Sequence, residues 1–197
     1  MSERRAMLLR AALEALREAR RRDDVLITSM GTSREWMAMG PLQPLDFVFV
    51  PSSMGQAPSL ALGLALAQPE RRVIACNGDG SMLMSLGALV TIGSEAPPNL
   101  VLIVFDNGVY EVTGAQPTPG RGVDFPGIAR ASGVASVFHF DNLAAWRASA
   151  TDALGARGPV CIVLDVAPVP GAIGPKSPGP TADRARAFAS ALQDNET

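Results

Sequence analysis

The chain has 197 residues, 47% hydrophobic but only 5% aromatic, and a formal net charge of −2. This length suits one domain, 1–197, with a core of Ala, Leu, Val, Ile and Met, and the charge gives no reason to expect nucleic acid as a partner. No apolar run reaches the roughly 20 residues that cross a bilayer. The basic N-terminus leads into an Arg-rich helix rather than the apolar core of a secretory signal. Cys76 and Cys161 lie in apolar runs without metal-ligand or disulfide-framework spacing. They are expected as buried free thiols in a reducing cytoplasm.

In chain order, residues 4–21 predict a helix, with Leu9, Ala12, Leu13 and Leu16 on one stripe and arginines on the other side. Arginines 20–22 read as its solvated end. A strand follows over Val25–Thr28, then a turn at Gly31 and a helix starting at Thr32 or Ser33. Asp46–Val50 is the second strand and Ala57–Ala67 a small-residue helix. Val73–Cys76 is the third strand, and one helix is expected over residues 81–93. Leu100–Phe105 is the fourth strand. A short helix over 125–133, a strand in "VASVFHF", a helix in "NLAAWRASATDALG" and a last strand, Val160–Val166, complete the alternation. A Pro/Gly-rich crossing, 168–180, leads to a terminal helix. Strands alternating with helices predict an α/β fold, a mostly parallel sheet with helices on both faces. Ligands of such sheets bind at the carboxyl ends of the strands. The polar insertions cluster there: Thr28–Ser33, Ser52–Gln56, Asn77–Ser81 and Asp106–Tyr110.

The most specific stretch is Asn77-Gly78-Asp79-Gly80-Ser81, where a buried strand meets a helix. Glycines let the backbone approach a ligand closely, and a helix start at the same place favours a phosphate. A carboxylate beside a phosphate repels it unless a cation lies between, which suggests a hard divalent metal bound by oxygen. Asn107 follows Asp79 by 107 − 79 = 28 positions. One helix and one strand separate them, so a right-handed crossover returns the chain to the same sheet edge. Two plainer readings stand beside this. Gly-Asp-Gly marks turns in many proteins. Asp-Asn-Gly between apolar runs is the usual hairpin signal, which would pair Val101–Phe105 with Val109–Val112.

The span from Asp79 to Asn107 resembles the thiamine-diphosphate-binding signature, "GDG" followed at a fixed interval by a paired "NN", here "DN". "TSMGTSREW", "PSSMGQAPSLALGLALA" and "FDNGVYEVTGAQPTPGRGVDFPGIARASG" extend the resemblance over nearly the whole chain, to the diphosphate-binding subunit or domain of sulfopyruvate and phosphonopyruvate decarboxylases. The resemblance implies thiamine diphosphate and Mg2+ as cofactors. By it, Asp79, Asn107 and the main-chain carbonyl of Val109 match the metal ligands. Gly80 and Ser81 match the diphosphate contacts, and Gly78 leaves room for close approach. Met54, flanked by Ser53 and Gly55, matches the bulky apolar residue that props the cofactor in its bent form. Tyr110 joins the cofactor-binding set. Asp106 replaces the first Asn of the pair, Gln56 stands where phosphonopyruvate decarboxylases tend to have His, and Glu111 stands where a smaller residue is more usual. These departures bear on the substrate more than on the cofactor.

In this family a glutamate from a separate pyrimidine-binding domain activates the cofactor. Glu35, Glu95 and Glu111 sit in no matching motif. The resemblance therefore implies half an active site, completed by a companion pyrimidine-binding subunit, and a small anionic 2-oxo acid as substrate. Arg34, Gln56, Glu111 and Arg121 are the candidate substrate contacts. His139 is expected to pack or make a polar contact in its strand. The competing readings are a subunit of an oxoacid oxidoreductase, an acetolactate-synthase-like enzyme, and a non-catalytic cofactor-binding module.

Overall fold

The structure is a computed structural model that describes residues 6–51, 54–119 and 122–194. Its centre is a seven-stranded sheet with every pair parallel. The strands are β1 (Met7–Leu8), β2 (Val25–Ser29), β3 (Asp46–Phe49), β4 (Val73–Gly78), β5 (Leu100–Asp106), β8 (Ser136–Phe140) and β9 (Val160–Ala167), and the order is β1-β9-β5-β4-β2-β3. β8 also pairs with β9, against its first half, while β1 takes the last two residues. The central strands read as unbroken apolar runs because both their faces are covered: β2 and β9 are buried along nearly their whole length.

The helices are α1 (Leu9–Ala19), α2 (Met30–Ala38), α3 (Ala57–Ala67), α4 (Asp79–Leu83), α5 (Gly87–Glu95), α6 (Phe125–Ala131), α7 (Leu143–Leu154) and α8 (Thr181–Gln193). One core joins α3, α4, α5, α6 and α8 to the sheet through residues such as Ala61, Met82, Ile92, Phe125 and Phe188. The other joins α1, α2 and α7 through Leu13, Trp36 and Trp146. The connection leaving β2 thus runs on one face, and the connection leaving its neighbour β4 runs on the other. That is a topological switch point, and it opens a crevice at the carboxyl ends of these two strands.

The turn expected at Gly31 lies inside α2, which starts at Met30; three further expectations change, and the alternative hairpin reading falls. Met7–Leu8 are extended and pair with Val166 and Ala167, so α1 starts later than the periodicity suggests. The helix expected over 81–93 is two helices. Its break, around Met84–Leu86, lies where the Gly55 turn packs, since a side chain on Gly55 would come 3.1 Å from the Ser85 Cβ. Arg20 is not solvated. It pairs with Asp46, both side chains 3% exposed, and lies over the ring of Trp36. Finally, β5 makes no hairpin with Val109–Val112. It stays in the parallel sheet, and β6 (Val109–Tyr110) pairs instead with β7 (Gln116–Pro117).

Candidate functional site

A cleft of about 610 Å³, counting the space open to solvent, occupies the switch point. Its walls come from the loops leaving β2, β4 and β5 and from Met54. The β2 wall is built by a capping box. The Ser29 backbone N–H donates to the Thr32 hydroxyl at 3.0 Å, the Ser29 hydroxyl donates to the Cys76 carbonyl at 3.1 Å, and the Thr32 hydroxyl donates to the Ser29 carbonyl at 2.8 Å with the Cys76 carbonyl at 3.3 Å. This ties the first turn of α2 to β4. Met30, inside that turn, has φ +48° and lines the cleft. Sequence reading missed it, because methionine carries no signal for a left-handed backbone.

Asp79 opens α4 and is 2% exposed. Its Oδ2 accepts from the Gly108 N–H and from the Thr118 hydroxyl, both at 3.1 Å. Thr118 is a second residue the sequence did not flag. It sits 39 positions away, and only the β6–β7 pair brings it back. Burial, and then the neighbouring Asp106 at the end of β5, push the Asp79 carboxyl up to about 6. The N–H of Gly80 and the two donors above pull the other way.

Asn107 lines the same cleft. Its amide nitrogen donates to Glu111 at 2.9 Å and its Oδ1 accepts from the Val109 N–H at 3.0 Å. The left-handed residue of this turn is Gly108, at φ +71°. The Tyr110 ring lies against Gly80, where a Cβ would come within 2.4 Å of the ring. Gly80 is therefore required by packing inside the site. The Ser81 hydroxyl oxygen accepts from the Gly55 N–H at 2.8 Å, joining the Met54 loop to α4.

The family model described as "Thiamine pyrophosphate enzyme, C-terminal TPP binding domain" matches residues 29–164. This chain belongs to that family. It is 38% identical over 182 residues to a phosphonopyruvate decarboxylase of Streptomyces viridochromogenes, covering 90% of this chain and 45% of that protein. It thus spans under half the length of that relative. It is 39% identical over 147 residues to sulfopyruvate decarboxylase subunit beta of Methanothermobacter thermautotrophicus, covering 74% of this chain and 75% of the relative. Among solved structures, the thiamine diphosphate-dependent 4-hydroxybenzoylformate decarboxylase of Rhodococcus jostii RHA1 superposes with a TM-score of 0.69 at 26% identity. That match covers 80% of this chain and 32% of the other.

The residues of this family member fit a cation and a diphosphate. A buried carboxylate with neutral donors around it, beside a second acid, is the arrangement a divalent cation relieves. Gly78 offers open space, since a side chain there would meet nothing within 4 Å. α4 has five residues, too few for a substantial macrodipole, so the donors it offers a phosphate are individual N–H groups.

The cleft gathers Met54, Gly78, Asp79, Gly80, Ser81, Asn107, Val109, Tyr110 and Glu111 from the residues singled out in the sequence. Gly55 is not among the lining residues and bonds to the cleft's Ser81. Gln56 is exposed at the N-cap of α3 and is not among the cleft-lining residues. Arg34 is already engaged, donating to Glu35, Glu111 and the Ile173 carbonyl at 3.0, 3.3 and 3.3 Å. An anionic substrate would have to compete with two carboxylates for it. Ser53 and Arg121 lie outside the described residues. His139 bonds to Asp165 at 2.8 Å in a separate hollow with Asp106 and Asp124. Both cysteines are buried. Burial pushes the Cys76 thiol well above its usual range and that of Cys161 up to about 12, so neither is a nucleophile at neutral pH. No helix among the described residues is long and apolar enough to cross a membrane.

Proposed function

We propose that this chain is the diphosphate- and magnesium-binding part of a thiamine-diphosphate-dependent 2-oxo acid decarboxylase acting on sulfopyruvate or phosphonopyruvate, completed by a companion subunit that carries the pyrimidine-side glutamate. The observation that carries the reading is the meeting of Asp79 and Asn107, 28 positions apart, in one cleft at the ends of the adjacent strands β4 and β5. The names of the two relatives supply the substrate class.

On this reading Asp79, Asn107 and the Val109 carbonyl hold Mg2+, and the N–H groups and hydroxyl around Gly80 and Ser81 hold the diphosphate. Thiamine diphosphate, when bound, supplies the carbanion and the electron sink for decarboxylation. Met54, at the cleft wall, would support thiamine diphosphate, and Met30, Phe105 and Val166 give the cleft an apolar lining. No lysine or arginine lines the cleft among the described residues. The candidates to meet the sulfonate or phosphonate are therefore Arg121 and the companion.

The test is CO2 release from sulfopyruvate and from phosphonopyruvate, with Mg2+ and thiamine diphosphate, by this chain alone, by the companion alone and by the mixture. Turnover is expected only in the mixture. It should disappear when the companion's activating glutamate is changed to Gln. Robust turnover by this chain alone refutes the half-site reading.

A further inference from the structure

Glu111, in the turn after β6, is 9% exposed and has partners on three sides. Its Oε1 accepts from the Asn107 amide nitrogen at 2.9 Å and from the Val169 backbone N–H at 2.8 Å. Its Oε2 accepts from Arg34 at 3.3 Å, and Arg34 donates onward to the Ile173 carbonyl at 3.3 Å. Val169 and Ile173 belong to the Pro/Gly-rich crossing after β9, and Arg34 belongs to α2. A side chain at Gly31 would come within 3.2 Å of Oε2, so the first turn of α2 is bare where this carboxylate sits against it.

The consequence falls on Asn107. Its nitrogen faces a carboxylate and its oxygen faces the Val109 N–H. Rotating the amide by half a turn would set oxygen against carboxylate and NH2 against N–H, losing both bonds. The amide oxygen has two lone pairs, and Val109 uses one. The other remains for a cation. Without Glu111 the Val109 N–H alone would favour this rotation, and the amide nitrogen would lose its acceptor.

We propose that Glu111 is a positioning residue for the cation site. It fixes Asn107 with the oxygen presented, and through Val169 and Arg34 it makes that orientation depend on the docking of the 168–180 crossing. The proposal rests on the cation reading above. A carboxylate serving only as a structural ion pair with Arg34 would leave cation affinity unchanged when replaced.

The experiment is a Mn2+ titration of the full chain, with its companion and thiamine diphosphate present, read as free Mn2+ by electron paramagnetic resonance. Glu111→Ala is expected to weaken Mn2+ binding by about 10- to 100-fold, the usual range for a group that orients a metal ligand. Glu111→Gln keeps an oxygen able to accept both N–H donors but sets its NH2 against the Arg34 guanidinium, and is expected to weaken Mn2+ binding less than Glu111→Ala does. Val169→Pro removes one donor without touching a polar side chain, and is expected to weaken Mn2+ binding as well. Hydrogen exchange over 168–180 should slow on Mn2+ addition in the wild type and not in Glu111→Ala. Wild-type Mn2+ affinity in a folded Glu111→Ala chain overturns the proposal. If that variant does not fold, wild-type affinity in Val169→Pro overturns it instead. Absence of Mn2+ binding by the wild type counts against the function reading itself, so the two failures are distinguishable.

Discussion

Replacing Asp79 by Asn should make the cofactor-free protein more stable at neutral pH while removing the proposed cation site. The carboxyl is pushed from 3.8 up to about 6 in the fold, first by burial and then by Asp106. A group whose folded pKa lies above its unfolded value binds more protons in the native state. Its contribution to stability is full below the unfolded value, near 3.8, and is lost as pH rises through 6. At pH 7.5 the ionised Asp79 therefore costs about 3 kcal/mol relative to its protonated form, at about 1.4 kcal/mol per unit. An Asn side chain is neutral and its oxygen can still accept from Gly108 or Thr118, although its NH2 must find an acceptor of its own. The expected gain is about 1–3 kcal/mol, which at roughly 2–4 °C per kcal/mol for a chain of this size is a rise of several degrees. The assay is thermal or urea unfolding without metal, at pH 5 and pH 7.5. Wild type should be the more stable at pH 5 as far as Asp79 is concerned, and the difference between wild type and Asp79→Asn should shrink there. In parallel, calorimetry should detect no Mg2+-dependent thiamine diphosphate binding by the variant. Lower stability of Asp79→Asn than wild type at pH 7.5 without metal would refute the reasoning, because it would mean the buried charge is not a cost.

Gly80→Ala sets a Cβ 2.4 Å from the Tyr110 ring and should destabilise by about 1–3 kcal/mol, as overpacking does. In a Tyr110→Ala background most of that penalty should vanish; equal penalties in both backgrounds, measured by urea unfolding, would count against a ring clash. Gly93→Ala places a Cβ 1.8 Å from the Ser132 carbonyl oxygen, which is backbone and cannot rotate away. It should cost at least as much as the worst overpacking, about 3 kcal/mol, and a near-wild-type unfolding midpoint would show that α5 and the end of α6 can separate cheaply.

The alternation of strands and helices, the parallel sheet and the cleft at its carboxyl edge were legible in the sequence because each rests on local pattern. Val73–Cys76 and Leu100–Phe105 are continuous apolar runs bounded by turn residues, and such runs in an alternating chain have few other places to go. Gly78-Asp79-Gly80 and Asn107 were legible for the same reason: their spacing equals one crossover, so chain connectivity alone returns them to one edge. The residues completing the site were not. Thr118 reaches Asp79 only because β6 turns back as β7. Met30 lines the cleft on a left-handed backbone that nothing in its side chain foretells. Arg34 and Glu111 each stood out as a separate candidate for substrate, and the tertiary structure pairs them with each other and with the crossing after β9. Arg20 looked solvated by its place at a helix end, yet Asp46, 26 positions away, draws it inward. The division is physical. Backbone periodicity and connectivity act over one element or one crossover and are written in residue order. The partner of a charged side chain is chosen across the fold, where low dielectric and a shared hydrogen bond decide between groups the sequence leaves far apart.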